Sequence, residues 1–276
     1  NLIKNEIFKI IKQKKLYIFM ALVITMIALE YVGFLVLKNL NSNNEELNNS
    51  FAQINGQTFP LVMISEISTI IIIYIVALLA DIITDEYKSG TLKLSLIRPV
   101  SRIKLLVSKV VGLVFGTVAL YVFTLLMSYI LGTVFFGWGE ECIFTGFKYT
   151  LSGDLVTYTT TFSTLQGIFF TLGSYVLIIL PYLAFGMLVL FISLLATNMG
   201  AAIGVSLGIW FGFQMLCQLV KQVRPYIINT YFNFFGQFAN DPDPKSILTG
   251  FAVILAYGLV FFGLSSLVFK KKDILM

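Results

Sequence analysis

Six long apolar segments, separated by shorter polar ones, run through most of the chain. About 20 apolar residues are enough for an α-helix to cross the hydrocarbon core of a bilayer. With 58% hydrophobic residues and only 12% charged residues, a soluble globular domain is excluded. The pattern predicts an all-α membrane protein with a single transmembrane domain over residues 1–276. The predicted spans are 16–37, 61–80, 103–136, 168–195, 200–219 and 247–269.

The segment before the first span, residues 1–15, has its own pattern. Ile3, Ile7 and Ile10 recur at helical spacing among five lysines. Such a basic amphipathic sequence is typical of a helix that lies in the membrane interface. The run 16–37 is too long for the apolar core of a cleaved signal peptide, so we expect it to be retained as the first span.

The basic residues predict the topology. The N-terminal segment, the segment between spans two and three, and the C-terminus hold fourteen of the 19 lysines and arginines. Because positive charge concentrates on the cytoplasmic side, both termini are expected in the cytoplasm. The composition is also rich in lysine, isoleucine and asparagine, which favours a bacterial source and a multi-pass position in the bacterial plasma membrane.

The most informative polar segment lies between spans two and three, at residues 81–102. It contains Gly90-Thr91, which reads as a helix stop, and Pro99, which fixes φ. Ser101 is suited to cap the next helix. A rigid, charged segment between two spans is suited to receive a force from another protein. The alternative is a loop whose positive charge only fixes the topology of the chain in the membrane. The basic side chains within its reach are Lys88, Lys93, Arg98, Arg102, Lys104 and Lys109.

The pattern Glu86-x-x-x-Gly90-Thr91, then Pro99-x-Ser101-Arg102, then Lys109, resembles the cytoplasmic signature of type-2 ABC exporter permeases. The resemblance extends over the whole chain as six spans. It implies a cytoplasmic coupling helix between spans two and three, two copies of an ABC ATPase subunit, and a second permease subunit, the same or related. The residues that it assigns to ATPase coupling are Glu86, Gly90, Thr91, Arg98, Pro99, Ser101 and Arg102.

The chain lacks the residues that would make it an ATPase or a metalloenzyme. It has no G-x-x-x-x-G-K-[ST] motif and no Gly-Lys pair, so it cannot cradle ATP phosphates. It also has no histidine, the commonest general base and metal ligand. We therefore predict a permease without enzyme activity, without catalytic residues and without a metal site. No cofactor is expected in this chain, with ATP and Mg²⁺ in the partner ATPase.

Basic residues at span ends point to membrane lipid as a partner, and not to nucleic acid. Two acidic residues, Glu30 and Glu66, instead lie inside predicted spans one and two. Counted from the outer ends, both are about 8–10 Å deep at the α-helical rise. A charge in a span faces protein or a wet cavity. Two interpretations stay open: a translocation path for a cationic substrate, and a structural hydrogen bond to a neighbouring element.

Small residues line one face of predicted span five. Gly200, Gly204, Gly208 and Gly212 recur at every fourth position, which lets another helix approach closely. The resemblance places spans two and five of two subunits face to face, which makes this row a candidate dimer interface. Packing within one subunit is the alternative.

The longest segment without a span lies between spans three and four. Two runs of β-prone residues flank Ser152-Gly153-Asp154, which predicts an extracellular β-hairpin. The aromatic segment 226–238 is too short to span and is expected to form a re-entrant or interfacial helix. Cys142 and Cys217 could form a disulfide or remain free thiols, and we favour free thiols.

Three functions are weighed. The first is the transmembrane subunit of an ATP-driven exporter for an amphipathic or hydrophobic substrate, such as a peptide or an antibiotic. The second is a stand-alone secondary transporter or a sodium or drug efflux permease, which predicts broken spans with charges near the midplane. The third, an intramembrane enzyme, lacks the residues it needs. The first is our expectation.

Overall fold

The structure is a computed structural model that describes residues 2–40, 54–85, 101–239 and 242–271. Five helices in this part are long and apolar enough to cross a membrane, or six if one bent pair counts as a span. The chain thus has the helices of a multi-pass membrane protein, as predicted. The elements are α1 Leu2–Lys12, α2 Lys14–Leu40, α3 Phe59–Glu66, α4 Ser68–Ala80, a π-helical turn Asp81–Asp85, α5 Arg102–Phe136, β1 Glu141–Tyr149, β2 Leu155–Ser163, α6 Thr164–Leu195, α7 Met199–Leu219, three 3₁₀ helices Lys221–Tyr226, Ile228–Tyr231 and Phe234–Phe238, and α8 Pro244–Lys271.

The second predicted span, 61–80, is bent in the structure. The helix breaks at Ile67, and the two parts, α3 and α4, meet at an angle of 48°. Hydroxyl side chains flank the break at Ser65, Ser68 and Thr69. Side chains of this type compete with the helix for backbone hydrogen bonds, which favours an irregularity here over the apolar remainder of the span.

Helix α4 lies at the centre of the protein. It packs against α2, α5, α6 and α7, and eight of its side chains are buried. Two glycines of α5 show how close these helices come. A Cβ at Gly116 would lie 3.1 Å from Leu78 of α4, and one at Gly132 would lie 2.8 Å from the Phe59 ring of α3. Glycine at these positions permits the close packing.

The predicted hairpin is present. Strands β1 and β2 pair antiparallel, from Glu141 opposite Ser163 to Tyr149 opposite Leu155. Gly153 has φ of +80° in the turn between them, a conformation that glycine adopts without strain. The aromatic segment after α7 forms three short 3₁₀ helices instead of one helix, and most of its side chains are buried. Cys142 and Cys217 are buried free thiols, as favoured.

The helices define two ends of the molecule. We call the end with α1, the start of α5 and the end of α8 the basic end, and the end with β1 and β2 the hairpin end. Because successive spans alternate in direction, the described N- and C-terminal helix ends both lie at the basic end. The segment between the basic-end residues Asp85 and Ser101, predicted to hold the coupling helix, lies outside the described residues.

Candidate functional site

The strongest contact at the basic end is an ion pair between α1 and α5. Lys109 Nζ lies 2.9 Å from Glu6 Oε1, and the two side chains are only 2% and 5% exposed. One helical turn further along each helix, Ile10 packs over Gly112, where a Cβ would lie 3.0 Å from Ile10 Cδ1. Charge pairing and glycine packing together fix α1 against the start of α5.

A second ion pair ties the same N-terminal region to the end of α4. Lys15 Nζ lies 2.9 Å from Asp81 Oδ1, and the Gln13 side-chain amide donates a hydrogen bond to Asp81 Oδ2 at 3.2 Å. Asp81 stands just before the segment 86–100 and Lys109 stands just after it. The two helices that flank this segment are therefore both held by residues 6–15, and we call these two ion pairs the basic-end clasp.

Two of the predicted coupling residues lie in the described part of the chain. Ser101 caps α5, with its side-chain oxygen accepting from Lys104 N at 3.4 Å, as the sequence predicts. Arg102 donates to the backbone oxygen of Lys270 at 2.8 Å, which attaches α5 to the end of α8. The remaining predicted coupling residues, Glu86, Gly90, Thr91, Arg98 and Pro99, lie outside the described residues.

Helix α1 presents a second face away from the protein. Ile3, Phe8 and Ile11 are between 40% and 60% exposed, although each is apolar. The helix thus has one side against α5 and one apolar side available to lipid, as an interfacial helix requires. Glu6, which faces α5, is an acidic residue in a helix whose other charged residues are lysines.

At the hairpin end the structure contains a cavity of about 310 Å³. It lies between the break in span two, α7, the hairpin and the 3₁₀ segment, and Glu66 is the one charged side chain among the described residues of its lining. The lining is mostly polar and includes four aromatic residues. Its members are Ser65, Glu66, Ser68, Thr69, Ile72, Phe147, Tyr149, Trp210, Gln214, Cys217, Gln218, Asn229, Thr230, Phe232 and Asn233.

The two predicted path carboxylates have different positions. Glu66 lines the cavity, whereas Glu30 is half-buried on α2 and does not belong to the lining. The structure therefore places one of the two predicted path residues at the cavity.

The glycine row of α7 has no close helix partner in the described part of the chain. A Cβ at Gly204, Gly208 or Gly212 would meet no atom within 4 Å among the described residues, and one at Gly200 would meet only the Asn198 side chain. The described residues thus show no close packing of this row within one subunit, and that alternative stays untested. The dimer-interface interpretation stays a prediction.

Charged residues outside the spans hold the hairpin to the 3₁₀ segment. Lys221 Nζ lies 3.0 Å from Asp154 Oδ1, and hydrogen bonds from Lys221 and Ser152 lower the pKa of the Asp154 carboxyl. Arg224 donates to the backbone oxygens of Cys217 and Gly153 and lies over the Tyr149 ring at 5.5 Å. The wall of the cavity is thereby fixed on its hairpin side.

Sequence reasoning missed three contributors to these sites. Glu6 and Asp81 were not selected, although a carboxylate in a lysine-rich helix and a lysine within the apolar run of span three signal a buried pair. Asn229 was not selected either. Its neighbours in sequence carry no recognisable motif, and it reaches the cavity that Glu66 lines only through the folding of the 3₁₀ segment.

Comparison with known proteins gives a family for the chain. A family model described as "Protein of unknown function (DUF2705)" matches residues 17–275. The chain belongs to this family. It is also similar to the "Uncharacterized protein YhcI" of Bacillus subtilis (strain 168), with 35% identity over 69 residues. The similar segment covers 25% of this chain and 22% of the relative, so the match extends over about a fifth of the relative's length.

Proposed function

We propose that this protein is the transmembrane subunit of an ATP-driven exporter of the bacterial plasma membrane. It would form the path for an amphipathic or hydrophobic substrate, such as a peptide or an antibiotic, with both termini in the cytoplasm. A separate ATPase, in two copies, would bind ATP and Mg²⁺ and hydrolyse the ATP. A second permease subunit would complete the path.

The observation that carries this proposal is the basic-end clasp. A segment that receives force from a partner moves the spans only if its flanking helices are attached to other elements. Asp81 and Lys109 flank the segment 86–100, and both are bound by residues 6–15. A displacement of this segment would therefore pull on α4, α5 and the interfacial helix together, as a rigid-body transport step requires.

The exposed glycine row of α7 supports the second permease subunit. Gly204, Gly208 and Gly212 leave a groove with no contact among the described residues. A helix of another subunit could approach closely there, since small residues favour helix contacts in membranes.

The test uses Arg98→Glu in the segment that would dock the ATPase. The variant should insert normally and lose copurification with a co-expressed ATPase, and its ATPase stimulation in proteoliposomes should fall. Lys245→Glu, a change of the same type at the hairpin end, is the matched control and should leave both unchanged. Normal copurification and ATPase stimulation with Arg98→Glu would overturn the docking assignment.

A second candidate function, the stand-alone secondary transporter, is favoured by the broken span. Discontinuous helices with a carboxylate at the break are a feature of ion-coupled carriers. Glu66 ends α3 directly before the break at Ile67. Uptake or efflux driven by an imposed ion gradient in proteoliposomes without any ATPase would favour this function, and transport that needs ATP and the ATPase would exclude it.

A further inference from the structure

The hairpin-end cavity has the residues of a site for a positively charged group. Glu66 is the one charged residue among the described residues of its lining. This carboxylate lies on a predicted membrane span, where an unbalanced charge is unfavourable. A cation in the cavity would offset this negative charge.

The aromatic residues of the lining complete the argument. Phe147 of the hairpin, Trp210 of α7 and Phe232 of the 3₁₀ segment supply ring surfaces on three sides. Aromatic faces attract ammonium groups, and the attraction grows when water is excluded. The nearby cation Arg224 does not fill this role, because its guanidinium is bound to backbone oxygens and lies over the Tyr149 ring.

We infer that this cavity binds a primary ammonium group on an aliphatic chain, of the size and type of a lysine side chain. Glu66 supplies the charge and accepts a hydrogen bond, and the rings contact the aliphatic part. A volume of about 310 Å³ is at the small end of ligand pockets, which suits one side chain and not a whole peptide. The inference deepens the proposed function by naming a substrate class, cationic amphipathic peptides, and rests on that function only for the role of the ligand as a substrate.

Binding is measured on the purified protein in nanodiscs through tryptophan fluorescence. The chain has two tryptophans, and Trp210 lines the cavity, so Trp138→Phe leaves a single reporter at the site. N-acetyl-lysine methylamide should change the fluorescence in a saturable manner. N-acetyl-norleucine methylamide, which lacks the ammonium group, should not. Sodium chloride at equal ionic strength tests an alkali cation.

Glu66→Gln should weaken capped-lysine binding about tenfold or more, because it removes a charged hydrogen-bond partner. Glu66→Asp keeps the charge and should bind within a few-fold of the wild type, and Glu140→Gln, an exposed acid outside the lining, should have no effect. Equal responses to the lysine and norleucine probes, an equal response to sodium, or full binding by Glu66→Gln would each overturn the inference. The binding assay contains no ATPase. If the probe does not bind but ATPase coupling is intact, only the inference about the ligand is contradicted. If the probe binds but no ATPase coupling is found, only the proposed exporter function is contradicted.

Discussion

Removal of the buried lysine of the basic-end clasp is the sharpest test of how α1 is held. Lys109 is 2% exposed and Glu6 is 5% exposed, so Lys109→Met leaves a buried carboxylate. Glu6 Oε1 also lies 3.4 Å from Lys9 Nζ, and the Lys9 side chain is 51% exposed. Breaking a buried pair from one side typically costs about 3–5 kcal/mol, whereas an exposed pair contributes at most about 1 kcal/mol. The structure therefore predicts very different effects for the two lysines.

The assay follows the detachment of α1 from α5. Ile10 is fully buried beneath this contact, so a cysteine at this position, in a background without the native cysteines, reports each opening by reacting with a water-soluble thiol reagent. A loss of about 3 kcal/mol raises the open population, and hence the labelling rate, by about 100-fold. Lys9→Met should raise the rate by no more than about fivefold.

The double variant decides whether charge is the cause. Glu6→Gln combined with Lys109→Met removes both charges, and its labelling rate should return to within about tenfold of the wild type. If Lys9→Met is as harmful as Lys109→Met, or if the effects of the double variant simply add, the buried ion pair does not hold α1 and the argument for the clasp fails.

Gly132→Ala should lower the unfolding free energy by about 1–3 kcal/mol in mixed-micelle titrations, because its Cβ would lie 2.8 Å from the Phe59 ring. Gly204→Ala should leave that free energy unchanged, since no atom of the described residues lies within 4 Å of the added Cβ. Gly204→Leu should weaken the proposed dimer in single-molecule photobleaching, and an undiminished dimer would contradict the interface. The Lys221 hydrogen bond holds the folded-state pKa of Asp154 below its usual 3.8, so its stabilisation is present above about pH 4 and is lost as the pH falls through the lowered value. Hydrogen exchange in the hairpin turn should then converge with that of Asp154→Asn in acid, and a constant difference between the two proteins down to pH 2 would contradict the assignment.

Sequence reasoning predicted the spans and the hairpin because both depend on local patterns. The apolar runs and the Ser152-Gly153-Asp154 turn each lie within one segment of the chain. The break at Ile67 was not predicted, because the few hydroxyl residues around Glu66 do not interrupt the apolar run enough to indicate the end of a helix. Of the residues that line the cavity, only Glu66 was selected from the sequence. The other polar lining residues, such as Asn229, come from distant segments and share no periodicity.

The break in span two also divides that span into two separately attached parts. The hairpin-end part, α3, is held by the hairpin and by α6. Asn55, which precedes α3, donates to the backbone oxygen of Glu141 at 2.7 Å, and Tyr175 of α6 donates to that of Pro60 at 3.1 Å. The other part, α4, ends beside Asp81, which Lys15 binds. A displacement at the basic end would therefore move α4 against a fixed α3, and the movement would be absorbed at Ile67. Since residues on both sides of Ile67 line the cavity, its shape would change with the position of the clasp, and a ligand held there by Glu66 would be bound in one state and released in the other.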